Sequence, residues 1–163
     1  MVRTGGKSAS DTLPSEVIAG LTGVSPVLDQ VTTIVTVDAD GFPRMSLLSR
    51  SEIGVPDPGR LFLALWAGST TTANIRRSAL ATLFRVDDGK PRSIRLRCSD
   101  PVPFRTSSGL ELVAIEARVL DVQTDEVAYA SIVSTLDFRL HDPTSVLSRW
   151  QEVADHLVAL ARS

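Results

Sequence analysis

Hydroxyl side chains and an arginine in the first half of the sequence could together hold a phosphate ester. Ser69, Thr70 and Thr71 follow an apolar run and stand where a helix is predicted to begin. Free amides at a helix N-terminus, together with the positive end of the helix dipole, form an anion site. Arg44, at the start of an earlier strand, adds a charged donor. These residue types predict a phosphate site, with plain helix capping by Ser69 or Thr70 as the alternative.

Other familiar catalytic patterns are missing from the sequence. It has no glycine-rich loop of the Walker or dinucleotide type, and no nucleophile stands at a recognisable spacing from a histidine. His141 and His156 are the two histidines, and both occur late in the chain, where a surface or packing role is the simpler interpretation. Cys98 is the single cysteine, so no intrachain disulfide can form. Histidine-based acid–base catalysis and a metal site are therefore not predicted.

The composition fits one domain in a reducing compartment. The chain has 163 residues without a composition break, and compact domains hold roughly 100 to 200 residues. The formal net charge of -2 lacks the basic excess of nucleic-acid-binding proteins. No apolar run approaches the roughly 20 residues that span a bilayer, and the opening has no hydrophobic signal core. We expect a flexible tail over 1–11, one domain over 12–163, and a cytoplasmic protein without nucleic-acid or membrane partners.

A series of short antiparallel strands is predicted to position the candidate residues. The predicted strands cover residues 31–38, 43–50, 60–66, 80–86, 93–98 and 110–123. Asp40-Gly41 predicts a tight hairpin between the first two, because glycine tolerates the positive φ that such a turn requires. The following segment, EIGVPDPGR (52–60), contains two prolines and Gly59, which favour an irregular turn. Strands that are apolar on both faces, such as 60–66, favour a closed or nearly closed barrel over a one-sided meander.

Helices are predicted at both ends of the chain and once between strands. The first covers residues 13–23, and the second begins at Ser69 or Thr70. Thr124 is expected to cap a third helix over 125–134. Asp142-Pro143 then predicts the start of a long amphipathic helix, since proline at the first helical position lacks only an amide that has no intrahelical partner. The predicted fold is mainly β, an antiparallel barrel of six strands with appended helices.

Two segments give the sequence a resemblance to a known family. They are TIVTVDADGFPRMSLLSR (33–50) and RLFLALWAGSTTTANIRRSALATLF (60–84). Their motifs resemble those of the FMN-binding split β-barrel family typified by pyridoxamine 5′-phosphate oxidases. In that family a DG-x-PR hairpin leads into a strand that holds the flavin, and a helix with the pattern S-x-x-x-x-N-[LI] binds the FMN phosphate. The resemblance implies a six-stranded antiparallel split barrel with bound FMN.

Carried onto this sequence, the family pattern implies a phosphate end of the cofactor site. Arg44 corresponds to the phosphate-binding arginine, and Ser69, Thr70 and Thr71 correspond to the first residues of the helix. Asn74 corresponds to the helix asparagine of the family. A local hydrogen bond within the helix is an equal alternative for Asn74.

The resemblance also implies which residues lie beside the isoalloxazine ring. They come from the second and third predicted strands, with Ser46 and main-chain groups of its strand available to the polar edge of the ring. These residues are Met45, Ser46, Leu47, Ser49, Leu63 and Ala64.

The sequence departs from the oxidases at several points. Ser69-Thr70 stands where they usually carry Arg-Lys, Ser49 stands where they carry Lys, and their C-terminal arginine motif is absent. Arg76, Arg77, or Arg92 from a second subunit could restore the lost charge. The resemblance thus implies a homodimeric flavin-dependent oxidoreductase, with FMN in the intersubunit groove, that acts on a small molecule other than pyridoxamine phosphate.

Two alternatives stay open. One is a non-catalytic cofactor-binding protein. The other is a split barrel that binds the deazaflavin F420 or haem, and haem would need His141 or His156 as its axial ligand.

Overall fold

The computed structural model describes residues 10–163, which contain three helices and ten strands. The helices are α1 (Ser15–Leu21), α2 (Thr70–Ser78) and α3 (Pro143–Ala161). The strands are β1 (Leu28–Gln30), β2 (Thr32–Val37), β3 (Pro43–Leu48), β4 (Ile53–Asp57), β5 (Arg60–Trp66), β6 (Leu80–Asp87), β7 (Lys90–Cys98), β8 (Val102–Arg105), β9 (Glu111–Thr124) and β10 (Asp137–Arg139). A 3₁₀ turn, Arg50–Glu52, precedes β4. Most of the predicted tail lies outside the described residues, and Ser10 forms a bridge with Val122.

The architecture is a curled antiparallel sheet with appended helices, which confirms the predicted mainly-β class. The strand order is β3-β2-β6-β7-β9-β5-β4, and β8 pairs with β9 beside this path. The sheet therefore has eight strands rather than six, and β3 and β4 are its edges. A separate two-stranded ribbon joins β1 to β10.

The hairpin between β2 and β3 forms as predicted. Its turn closes with a hydrogen bond from the Asp38 amide to the Phe42 carbonyl at 2.8 Å, and Gly41 takes a φ of 91°. The register pairs Thr36 with Arg44. Because side chains alternate along a strand, Arg44 lies on the core side of β3, and its neighbours in sequence face outward.

Both faces of β5 are buried, as its apolar sequence predicted. One face belongs to the main core inside the curled sheet and contributes Leu61, Leu63 and Leu65. The other face is covered by α3. This second cluster is formed by Phe62, Ala64, Leu112, Ala114, Val153 and Leu157.

The segment predicted as an irregular turn, 52–60, contains β4, so this prediction was wrong. β4 pairs with β5, with a register irregularity between Gly54 and Asp57. Pro56 is tolerated because β4 is an edge strand, where an amide that points away from the sheet needs no ladder partner. Two further prolines, Pro101 and Pro103, likewise obscured the short strand β8 in the sequence.

The helix predicted over 125–134 does not form. The Asp125 amide donates to the Pro91 carbonyl at 3.1 Å, and the Ile132 amide donates to the Gly89 carbonyl at 3.4 Å. The segment thus lies along the start of β7, and these two amides bond to carbonyls there instead of to carbonyls of a helix.

The other predicted helix starts are confirmed. Ser69 caps α2, and its hydroxyl accepts a hydrogen bond from the Thr72 amide at 3.1 Å. Asp142 caps α3 ahead of Pro143, and its bonds with Ser145 hold the pKa of this carboxyl below its ordinary value. No helix within residues 10–163 is long and apolar enough to cross a membrane.

Candidate functional site

The start of α2 lies directly against strand β3. The Ser46 and Thr71 hydroxyl oxygens are 2.7 Å apart and hydrogen-bonded. Thr71 is buried by this contact, whereas Thr70, at the first helical position, is exposed. The capping bond of Ser69 fixes the turn that leads into the helix. The chain therefore places several hydroxyls and the first amides of α2 beside the edge strand of the sheet.

Arg44 lies on the same face of β3 as Ser46, two residues away. It forms an ion pair with Asp38, the residue that directly follows β2. Its Nε is 2.8 Å from Asp38 Oδ1 and 3.0 Å from Asp38 Oδ2. Asp38 Oδ1 also accepts a hydrogen bond from Asn74 Nδ2 at 2.7 Å. Asp38 thus connects the arginine of the hairpin with the asparagine of α2.

Asn74 is a buried link between α2 and β2. Its Nδ2 donates to Thr36 Oγ1 at 3.0 Å, besides the bond to Asp38. Its Oδ1 accepts a bond from Arg77 Nη1 at 3.0 Å, and Arg77 also donates to the Val37 carbonyl. The side chain of Asn74 therefore makes the local helix bond considered from the sequence, to Arg77, and also joins α2 to β2 and to Asp38.

The charges of this cluster stabilise one another. The Arg44 guanidinium, followed by the amide of Asn74, holds the pKa of Asp38 below its ordinary value. The Asp38 carboxylate in turn raises the pKa of Arg44. At neutral pH the cluster therefore contains one carboxylate between two guanidiniums, those of Arg44 and Arg77.

Several candidate residues from the sequence do not reach this cluster. Leu63 is fully buried in the main core, and Ala64 lies beneath α3, so neither side chain has surface to offer a ligand. Ser49 is buried in a capping box, where its amide and hydroxyl donate to Glu52 Oε2 at 2.8 and 2.9 Å. Met45 and Leu47 are exposed on the opposite face of β3 from Arg44.

The arginines that could replace the positive charge of the oxidases differ in whether they are free to contact a phosphate. Arg77 is part of the cluster, and Arg76 is exposed on α2. Arg92 is buried and pairs with Glu16 on α1 at 2.9 Å, so its charge is engaged within its own chain. Arg50 is likewise engaged, because its Nε lies 2.8 Å from Asp29.

The histidines lie away from this cluster. His156 on α3 stacks on Phe104, with ring centroids 4.0 Å apart, and His141 is exposed just before α3. Within residues 10–163, no group of three or more His, Cys, Asp or Glu side chains is arranged to hold a metal ion. Cys98 is buried, and desolvation raises its pKa to about 11.

Sequence reasoning missed two members of the cluster, Thr36 and Asp38, whereas Arg77 was among the arginines expected to restore charge. A signal for Asp38 was present, because the predicted hairpin register sets Arg44 opposite Thr36 and Asp38 diagonal to it. The bond from Arg77 to Val37 depends on how α2 packs on β2, which the sequence does not specify.

The residues present fit the phosphate of a flavin mononucleotide. The amides of Thr70 and Thr71 have no hydrogen-bond acceptor within the described part of the chain. Amides in the first turn of a helix have no partner within the helix, so they are available to a ligand. β3 pairs only with β2 among residues 10–163, so main-chain groups along its free edge can bind a polar ring edge. The Asp38 carboxylate is paired with Arg44, so a phosphate dianion must compete with this carboxylate for the guanidinium.

Comparison with known proteins gives relatives of two kinds. No family model matches the chain. It is 31% identical over 122 residues to the uncharacterized protein YclD of Bacillus subtilis, which covers 75% of this chain and 79% of that protein. A candidate pyridoxamine 5′-phosphate oxidase from Lactobacillus delbrueckii superposes with a TM-score of 0.56 at 16% identity, over 72% of this chain and 98% of that one. An FMN-binding protein from Syntrophomonas wolfei superposes with a TM-score of 0.52 at 10% identity, over 69% and 88%.

Proposed function

The chain belongs to the family of Bacillus subtilis YclD and has the split-barrel fold of pyridoxamine 5′-phosphate oxidase-like proteins, and on that premise we propose that it is an FMN-binding oxidoreductase. Its substrate is a small molecule. A superposed protein of the same fold is itself described as FMN-binding, which supports a flavin in this chain.

The observation that carries the proposal is the contact between β3 and α2. The Ser46–Thr71 bond at 2.7 Å holds the first turn of α2 against the strand that bears Arg44. Free amides, hydroxyls and a guanidinium thus converge on one small region, and these are the groups that bind a phosphate monoester. Helix capping alone needs Ser69 but not an arginine on the neighbouring strand.

Each part of the cluster has a distinct role in this proposal. Thr70, Thr71 and the amides of the first turn hold the phosphate, and Arg44 supplies the charge. Asn74 holds α2 on β2, which keeps the phosphate-binding residues together. When bound, FMN supplies the redox chemistry, so the protein needs no acid–base pair of its own to transfer electrons.

The substrate differs from pyridoxamine phosphate in this proposal. The C-terminal arginine motif of the oxidases is replaced by α3, whose Val153 and Leu157 pack on β5 and β9. That helix stabilises the fold.

A homodimer completes the site in this proposal. The hydroxyl cluster lies on an open surface, whereas cofactor sites are usually concave and often formed between subunits. The outward face of β3, β2 and β6 is apolar and uncovered, with Met45 73%, Leu47 55% and Phe84 39% exposed. A contiguous exposed patch of this kind marks an interaction surface. A second copy that covers it and extends past the free edge of β3 would form a groove along that edge, on the strand that bears Arg44.

The first test is the absorption spectrum of freshly purified protein, followed by titration with FMN. We expect a flavin spectrum, or saturable quenching of FMN fluorescence if the cofactor is lost during purification. A Soret band would establish haem, and a deazaflavin spectrum would establish F420; either would overturn the proposal. Absence of both pigment and FMN binding would leave a protein without a flavin and would also contradict it.

The second test uses variants of the phosphate cluster. Arg44→Ala should weaken FMN binding about tenfold to a hundredfold, because it removes a charged hydrogen bond. The double variant Ser69→Ala with Thr71→Ala should weaken FMN binding about tenfold, because it removes two neutral hydrogen bonds. Arg139→Ala on β10 removes the same charge elsewhere and should leave the affinity unchanged. Circular dichroism checks the fold of each variant. Unchanged affinity in both cluster variants would remove the phosphate assignment.

A further inference from the structure

Three arginines lie side by side across three neighbouring strands of the curled sheet. Arg118 on β9 is the register partner of Arg60 on β5 and of Arg97 on β7. The residues on either side of Arg118 and Arg97 belong to the main core, so these side chains leave the sheet on its outer face, as does Arg60 beside Leu61. Like charges directly opposite one another destabilise a sheet. The row therefore requires counter-charge.

The counter-charge within the protein is unevenly distributed. Arg60 binds two carboxylates, those of Asp57 and Glu116, each at 3.1 Å. Arg97 and Arg118 form no ion pair and no side-chain hydrogen bond within residues 10–163. Residues 1–9 contain no Asp or Glu. Two adjacent guanidiniums are thus left without an acidic partner from the described chain.

These arginines line an open groove of about 690 Å³. This volume falls in the range of small-molecule sites, roughly 300 to 1,000 Å³. Thr12 and Ser99 contribute hydroxyls to its wall, and Leu120 contributes apolar surface. The groove is therefore larger than a phosphate ion alone and offers surface for the remainder of a phosphorylated molecule.

We propose that this groove binds a small phosphorylated molecule, with the phosphate between Arg97 and Arg118. A phosphate dianion balances two guanidiniums, and the planar guanidinium matches its oxygens in pairs. Three carboxylates also line the groove. Those of Asp57 and Glu116 bind Arg60, whereas Asp11 forms no ion pair within the described residues, so the Asp11 carboxylate opposes the dianion. The groove lies on the outer face of the sheet, whereas Arg44 faces the core side of β3, so it is separate from the flavin site proposed above.

Inorganic phosphate is the probe for this site, titrated at constant ionic strength into the ¹⁵N-labelled full chain. The Arg44→Ala background removes the proposed flavin-phosphate site from the measurement. We expect saturable shifts of the amides of 97–99 and 116–119. Arg97→Gln and Arg118→Gln should each weaken binding about tenfold or more, because each removes a charged hydrogen bond.

Two further variants sharpen the result. Asp11→Asn should strengthen phosphate binding, because it removes a like charge from the groove wall. Arg139→Gln, which removes a positive charge on β10, should leave binding unchanged. Absence of saturable shifts in 97–99 and 116–119 would overturn the proposal, as would equal affinities in the parent, the two arginine variants and Asp11→Asn. Since these side chains are at the surface, circular dichroism should show that all variants retain the fold.

Discussion

Asp38 is the residue on which the chemistry of the β3–α2 cluster depends. Its carboxylate binds Arg44 Nε at 2.8 Å and Asn74 Nδ2 at 2.7 Å. The Asp38 carboxylate therefore positions the side chains of Arg44 and Asn74 when no phosphate is bound. The same carboxylate repels a phosphate that approaches Arg44. Asp38 thus favours an ordered site and disfavours tight binding of a dianion.

Asp38→Asn is predicted to bind FMN more tightly than the parent protein. The amide keeps an oxygen that can accept from Arg44 or Asn74, but it no longer neutralises the guanidinium that the phosphate needs. We expect an increase in affinity of about three- to tenfold, measured by FMN fluorescence quenching. Asp40→Asn, in the exposed turn of the same hairpin, should change the affinity little. An affinity that stays constant or falls in Asp38→Asn would show that the carboxylate assists binding.

At the scale of elements, the sequence pattern correctly predicted the features that depend on interactions between neighbouring residues. The Asp40-Gly41 turn, the caps at Ser69 and Asp142, and the two-sided burial of β5 depend on a few neighbouring residues. The segment 125–134 and the strand β4 depend instead on distant partners. Pro56 looks like a strand breaker until β4 is known to be an edge, and the amides of Asp125 and Ile132 bond to the carbonyls of Pro91 and Gly89.

The site shows the same division between local and distant interactions. Arg44, Ser46, Ser69, Thr70 and Thr71 could be identified because the hairpin and the helix cap are local features. Leu63 and Ala64 were assigned by strand position alone, but the packing of the core and of α3 buries them. The position of a side chain along a strand does not reveal what covers it.

The 3₁₀ turn between β3 and β4 carries a carboxyl whose pKa is shifted upward. Glu52 accepts two hydrogen bonds from Ser49, yet desolvation outweighs them and raises its pKa. A raised carboxyl pKa means that the folded chain binds this proton more tightly than the unfolded chain. The contribution of Glu52 to stability therefore becomes less favourable as pH rises through its ordinary range, near 4.3, and on to its value in the folded chain.

Glu52→Gln is predicted to remove this pH dependence. The amide oxygen can still accept from Ser49, but it does not titrate. The free energy of unfolding, measured with urea, should therefore rise for Glu52→Gln relative to the parent as the pH increases from about 4 to about 7, the range over which a carboxyl with a raised pKa titrates. Ser49→Ala removes the hydroxyl bond that lowers the Glu52 pKa and should steepen the dependence instead. Parallel curves for all three proteins would refute the assignment.

At the scale of the whole molecule, the outer face of the sheet has three regions with different surroundings. α3 covers the part formed by β5 and β9. The arginine row occupies the groove farther along the same strands. The face of β3, β2 and β6 remains apolar and uncovered by any described element. Since the proposed cofactor site lies at the β3 edge, a partner on this third region would stand beside it.

Phe84→Glu is predicted to separate the proposed dimer and weaken cofactor binding in the same step. Phe84 is the register partner of Thr33, which in turn pairs with Leu47, so a charge here lies within the apolar face. Burying an unpaired carboxylate between subunits is strongly unfavourable, so sedimentation velocity should show a dimer for the parent and a monomer for the variant. Val102→Glu adds the same charge to exposed β8 and should remain dimeric. FMN affinity should fall only in Phe84→Glu, because only that variant leaves the groove open to solvent. A monomeric parent, or a monomeric variant that binds FMN as tightly as a dimeric parent, would place the cofactor within one subunit.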